Sequence, residues 1–318
     1  MKKTVFAIFF LFVQNSSNAQ TDTISFYIDG GEKKVEQKNA SYLRVGIREK
    51  SYWKIFDLYL NEDKIRMKGF SSDDSLKLKE GVSEYYYRSG KRFARRSFLN
   101  GKMHGLSKSW YESGQLQDSA LYINGVPIGE EKGWYENGTV RYITTNDTIG
   151  NGNGVSFYYY ANGVLRSKGE MKQEKRNGTW FYYREDQTPA SEVSFEKDSV
   201  IAFKAFDEKG VLLPKVNDFE REANFKGGEA AWNKYMSTKL SAIYQMPEPW
   251  KYVGSCTIQF IIDKDGNVTN VESIQTTNGN LSQLAIGFIQ QSKKWTPAIQ
   301  YNLPVKAWRR QKFTFTNQ

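Results

Sequence analysis

His104 and Cys256 are the only histidine and the only cysteine among 318 residues, which narrows the chemistry open to the chain. A Ser/His triad or a zinc site built on histidine would have to use His104, yet it lies in a turn, Gly101-Lys-Met-His-Gly105. Cys256 stands among alternating strand residues, where a small buried hydrophobe is expected rather than a nucleophile. The carboxylate pairs Asp73-Asp74 and Asp263/Asp265 fall in turns and read as solvated loop residues, not as an acid–base couple. No Gly-rich phosphate loop, paired-cysteine metal spacing or nucleophile elbow occurs. The expectation is a non-enzymatic chain without catalytic, cofactor-binding or metal residues.

A contact surface remains, and the sequence indicates how it is built. An aromatic pair followed by two residues and a glycine recurs as Tyr86-Tyr87…Gly90, Trp110-Tyr111…Gly114, Trp134-Tyr135…Gly138 and Tyr159-Tyr160…Gly163, in steps of 24, 24 and 25 residues. A fifth copy, Tyr182-Tyr183, has Gln187 at the glycine position, and a sixth is worn down to Phe206-Asp207…Gly210. A register held that long marks a repeat array, not one catalytic core. Gly105, Gly133, Gly154 and Gly178 are each expected to open a strand ending at the aromatic pair. Asn-Gly then turns the chain, both residues tolerating positive φ, and a second strand such as Val164-Leu165-Arg166 follows. One such hairpin cannot bury an apolar face alone, so stacked units should form one long sheet.

Composition agrees with strands: 15% of residues are aromatic, mostly Tyr and Phe. The length allows two or three domains. Formal charge is +10, or about +8 once Lys2 and Lys3 are removed with a leader. Such a balance suits nucleic acid, anionic lipid or an acidic polymer alike, and a well-solvated surface equally. Residues 1–19 read as a signal peptide: Lys2 and Lys3, an apolar run from Thr4 to Val13, then Ser17-Asn18-Ala19 before Gln20. Ten helical residues span only about 15 Å, too short for a bilayer core. An exported chain with one thiol has no internal disulfide and must rely on packing.

Residues 20–80 read as an N-terminal β region whose segment Tyr59 to Gly69 is a degenerate leading repeat, and 81–212 as the hairpin array. A polar linker is expected over 213–224, and beyond it the periodicity changes. Trp232, Tyr235, Met236, Leu240 and Ile243 fall at helical spacing; Cys256, Ile258, Phe260 and Ile262 alternate as a half-buried strand. Lys264-Asp-Gly-Asn267 turns the chain into a partner strand, Val268 to Ile274. Leu281, Leu284, Ala285, Phe288 and Ile289 mark a second helix, and a last strand runs roughly from Val305 to Phe315.

The array, over roughly residues 52 to 212, resembles the variant MORN repeats found in proteins labelled YwqK-family antitoxins, which implies a scaffold or a lipid- and protein-contacting surface. An export signal fits poorly with neutralising a cytoplasmic toxin. Residues 225–318 look like the C-terminal domain of the energy transducer TonB. The resemblance rests on Phe225-Lys-Gly-Gly-Glu229, Gly254 to Gly266 with Asn267-Val-Thr-Asn-Val271, Trp295-Thr-Pro-Ala298, Pro304-Val305 and Phe313-Thr-Phe315. It departs at Tyr244-Gln-Met-Pro247, where the family has Tyr-Pro. Together these imply a mainly β chain with an α+β C-terminal domain: an elongated sheet of stacked MORN-like hairpins, then helix–hairpin–helix–strand.

In the TonB family the last strand lies at the sheet edge and pairs with a short receptor segment by β-augmentation. Carried onto this sequence, the contact strand is Val305, Lys306, Ala307, Trp308, Arg309, Arg310, Gln311 and Lys312. Lys306, Trp308, Arg310 and Lys312 would share one face. The four basic residues of the strand, Lys306, Arg309, Arg310 and Lys312, would also discourage self-pairing. The implied partner is an outer-membrane receptor or other envelope protein. An anionic lipid or envelope polymer could meet the repeat sheet, and export argues against nucleic acid. The expected function is an exported, periplasmic envelope binding protein, membrane association being left open. The alternative is a transducer for TonB-dependent transport held by an uncleaved leader. The chain lacks the family's Pro-rich spacer, having seven prolines in all.

Overall fold

A computed structural model describes residues 22–62, 64–216, 219–292 and 295–316; the expected signal peptide lies outside them. The chain divides into two compact units. Of the described residues, one comprises those up to Phe181 with Glu185–Gln187 and Ser194–Ala202, the other Tyr182–Arg184, Thr188–Val193 and those from Phe203 on.

Among the described residues sixteen strands form one sheet, in chain order apart from a two-residue branch. They are β1 (Thr23–Ile28), β2 (Tyr42–Glu49), β3 (Tyr52–Tyr59), β4 (Ile65–Ser71), β5 (Lys79–Tyr86), β6 (Arg92–Leu99), β7 (Lys102–Met103, the branch) and β8 (Gly105–Trp110). The order continues through β9 (Leu116–Ile123), β10 (Val126–Trp134), β11 (Val140–Asn146), β12 (Gly154–Tyr159), β13 (Leu165–Lys172), β14 (Lys175–Tyr183), β15 (Pro189–Glu196) and β16 (Ser199–Ala205). Adjacent strands pair antiparallel, for example Ile143 opposite Phe157 and Phe157 opposite Lys168.

Each conserved-spacing residue does one job in this sheet. At the third turn, Tyr135 N–H donates to Thr139 O at 2.8 Å and Gly138 N–H to Tyr135 O at 2.9 Å. Gly138 alone of the turn residues has positive φ, 84°, while the Asn137 side chain accepts from Thr139 N–H at 3.0 Å. This is a type I turn closed by a left-handed glycine bulge. The expectation that both Asn and Gly take positive φ is thereby corrected: Asn serves through its side-chain oxygen. Gly133 is corrected too. It sits late in β10, just before Trp134, where a Cβ would come within 2.2 Å of the Tyr142 ring. Gly129, with φ 63°, stands at the repeat spacing from Gly105.

In the fifth copy Gln187 occupies the bulge position with φ 72°. A left-handed residue with a Cβ costs roughly 1–2 kcal/mol, and glycine returns part of that as chain entropy. Gln187→Gly is therefore expected to raise stability by about 0.5–1 kcal/mol in urea denaturation. An unchanged midpoint would mean that the turn is not strained.

The second aromatic of the first three pairs ties one repeat to the next. Hydroxyls of Tyr87, Tyr111 and Tyr135 donate to the carbonyls of Trp110, Trp134 and Tyr159 at 2.8, 2.8 and 2.7 Å. Tyr59 does the same to Tyr86 at 3.1 Å, so the bond reaches the leading repeat. The first aromatic lies under a cation, as Arg92 over Trp110 and Lys132 over Trp134, each 5.7 Å from the ring centre. Toward the other face, Trp53, Ile55, Met67, Leu76, Tyr85 and Ala94 form one buried cluster.

The second unit contains β17 (Asn224–Phe225), α1 (Gly228–Ile243), β18 (Gly254–Ile262), β19 (Val268–Thr276), α2 (Gly279–Gln290), β20 (Trp295–Thr296), β21 (Ala298–Gln300), β22 (Leu303–Val305) and β23 (Ala307–Phe315). Both helices and the strand alternation follow the sequence periodicity. Asn278 caps α2 by accepting from Leu281 N–H at 3.1 Å. Cys256, Ile258, Phe260 and Ile262 are at most 2% exposed, and burying side chains of this size contributes about 1.5–3 kcal/mol each. Within 213–224, Phe219 and Ala223 are buried, and Arg221 bridges Ile299. The β21–β22 hairpin turns at Tyr301 and Asn302, both at positive φ. Asn302 Nδ2 donates to the Ala190 and Phe206 carbonyls at 2.9 Å, and the Tyr301 ring lies 4.7 Å from that of Tyr182.

Candidate partner-binding edge

β18 is the middle of a three-stranded sheet in the order β19-β18-β23. Among the described residues β23 pairs with β18 alone, so its other side is an open edge. The two edges differ. β23 keeps unbroken register with β18 over nine pairs, from Gly254 opposite Phe315 to Ile262 opposite Ala307. β19 slips register twice, between Thr257 and Ile258 and between Gln259 and Ile261. Bulges bend a strand and disturb its outward hydrogen-bonding row, so β23 is the better template for an incoming strand.

The eight residues expected to make contact are not all on that strand. Val305 belongs to β22, opposite Ala298, and Lys306 lies between the two strands. Ala307 to Lys312 form the first two-thirds of β23, alternating as the sequence suggests. Trp308, Arg310 and Lys312 point to solvent, Trp308 being 54% exposed. Arg309 and Gln311 turn inward. Gln311 accepts from Trp232 Nε1 at 3.0 Å, and Arg309 lies 3.9 Å from the Glu222 carboxylate and 5.9 Å from the Trp295 ring centre. Phe313 and Phe315 then enter the core at 1% and 3% exposure.

A cross-strand chain fixes the outward face. Arg310 Nε donates to Gln259 Oε1 at 2.8 Å, and Gln259 Nε2 donates to Glu272 Oε1 at 3.2 Å. Arg310 is thus aimed along the sheet beside Trp308, and Gln259, Trp308, Arg309 and Arg310 line an open depression. Gln259 and Glu272 were not among the expected contacts; Gln259's place among the outward positions of an alternating strand was the available signal. The geometry offers main-chain donors and acceptors along one edge, an indole for apolar contact and guanidinium charge beside it. Such a combination is chemically suited to main-chain pairing with an extended peptide.

Cys256, Asp263 and Asp73, singled out above for other chemistry, serve the structure instead. Cys256 is buried, and burial pushes its thiol pKa up, away from thiolate chemistry. Asp263 accepts from the backbone N–H groups of Asp265 and Asn267 at 2.9 and 2.8 Å, stapling the hairpin turn. Asp73 does the same for Lys77 and Leu78; burial opposes ionisation, yet these bonds and those from Ser75 and Ser71 hold its pKa at about 2. Among the described residues no cluster of three or more His, Cys, Asp or Glu side chains could hold a metal. Among them, too, no helix is long and apolar enough to cross a membrane.

Comparison with known families agrees with this geometry. Residues 251–316 match the family model of the Gram-negative bacterial TonB protein C-terminal. Residues 103–124, 127–145 and 153–173 match the MORN repeat variant. No curated protein matches the chain. The matched families are non-enzymatic binding or transducer domains, and the TonB type belongs to the Gram-negative envelope.

Proposed function

We propose that this chain is an exported, non-enzymatic binding protein of the cell envelope whose β23 edge captures a partner strand by β-augmentation. The single observation carrying this reading is the unbroken nine-pair edge of β23, presenting Trp308, Arg310 and Lys312 outward. The partner is an outer-membrane receptor or another envelope protein that offers an extended, acidic segment. Main-chain pairing supplies affinity, while the indole and the cations select the sequence. The repeat sheet serves as scaffold and second contact surface.

Replacing Trp308 by a photoreactive residue and irradiating intact envelopes tests the proposal. The expected product joins β23 to the periplasmic segment of an outer-membrane receptor or other envelope protein, identified by peptide mass. Amide exchange along Ala307–Lys312 should slow in the purified complex. A product with no envelope protein, or unchanged exchange in the complex, overturns it.

A further inference from the structure

Strand register places a line of cations across the solvent face of the repeat sheet. Arg95 stands opposite Lys108, Lys108 opposite Ser119, and Ser119 opposite Lys132. The same row continues through Ile143 and Phe157 to Lys168. Directly opposed residues share a face, so these side chains stand side by side from β6 to β13. At about 4.8 Å per strand the line is roughly 29 Å long. Among the described residues none of Arg95, Lys108, Lys132 and Lys168 forms an ion pair. Lys132 and Lys168 are each backed by an aromatic ring 5.7 Å away, Trp134 and Phe181, which holds the ammonium groups in place.

From this we infer that the outer face of the repeat sheet binds a linear acidic polysaccharide laid along the Arg95–Lys108–Lys132–Lys168 row. The inference deepens the reading of the sheet as a second contact surface and rests on it. Unpaired cations in a line complement carboxylates borne on successive sugar rings of one chain. Half-exposed Phe157 and Ile143, within the row, offer apolar contact to the ring faces. A planar anionic membrane fits less well. The neighbouring row carries exposed Glu130 and Glu170, which a flat surface would meet and a chain following the cations would pass beside.

The test uses the full chain and three probes at low salt: alginate as a polyuronate, dextran as a neutral glycan, and phosphatidylglycerol vesicles. Alginate is expected to bind with salt-sensitive affinity and dextran not at all. The combined variant R95Q/K108Q/K132Q/K168Q should lose at least about tenfold in alginate affinity at unchanged melting temperature. Should that variant be destabilised, the combined R95K/K108R/K132R/K168R form decides, since it should retain binding. Equal alginate binding by a folded charge-neutral variant, no alginate binding, or binding to vesicles alone each overturns the inference. Trp308→Ala should leave alginate binding unchanged, so failure here and failure of strand capture are read separately.

Discussion

Asp57→Ala is expected to cost about 3–5 kcal/mol, the range for breaking a buried ion pair by removing one member. The charge left behind is Arg44, whose side chain is 1% exposed while that of Asp57 is 0% exposed. The pair is a two-point fork: Arg44 Nε to Asp57 Oδ1 at 2.7 Å and Nη2 to Oδ2 at 2.9 Å. Arg44 also donates to the Leu76 carbonyl at 3.0 Å and to Glu32 at 2.9 Å, so it cannot swing to water without dismantling a loop. Urea denaturation followed by tryptophan fluorescence measures the loss. Arg44→Met combined with Asp57→Leu should lose less, because the two fully buried charges leave together; Arg66, 3.1 Å from Asp57, and Glu32, 2.9 Å from Arg44, are only partly buried and can turn to water. A loss under about 1 kcal/mol for Asp57→Ala would show that water reaches Arg44.

The same network gives a pH signature. Burial alone would raise the pKa of Glu32, but Lys79 and Arg44 outweigh it and hold the group at about 2, against an ordinary 4.5. A depressed carboxylate contributes stability that is fully present above its unfolded pKa. That contribution is lost as pH falls from about 4.5 through about 2. Glu32→Gln should therefore flatten the acid limb of the stability curve in this window.

The sequence made the array legible because each periodic residue has a separate, local task. Glycine supplies the left-handed bulge, the first aromatic takes a cation, and the second reaches the next repeat's carbonyl. The Arg44–Asp57 pair was illegible, since it joins two strands at a spacing that no periodicity singles out. Gly133 misled because two glycines, Gly129 and Gly133, compete four residues apart and only φ separates them. In the second unit, alternation identified the buried face of β18, whereas the openness of β23 came from resemblance alone. The division between β22 and β23 was hidden because Val305 continues the apolar character of the last strand while Asn302 starts a different hairpin. Bulges in β19 leave no mark in a polar edge sequence.

β23 should separate stability from recognition residue by residue. Phe313→Ala is expected to cost about 3–5 kcal/mol: the ring is 1% exposed, stands opposite Cys256 and belongs to the core closed by α1 and α2. Trp308→Ala, five residues earlier on the opposite face, should change stability by no more than about 0.5 kcal/mol. Its expected effect is on partner capture, where a central exposed indole is the residue type that dominates affinity. Chemical denaturation of both variants and exchange protection of β23 with partner bound give the two readouts. Were Trp308→Ala to destabilise the domain as much as Phe313→Ala, the indole would be holding the sheet rather than a guest. The strand would then be an edge in geometry without being one in function, because a side chain needed for packing cannot be spared to select a partner.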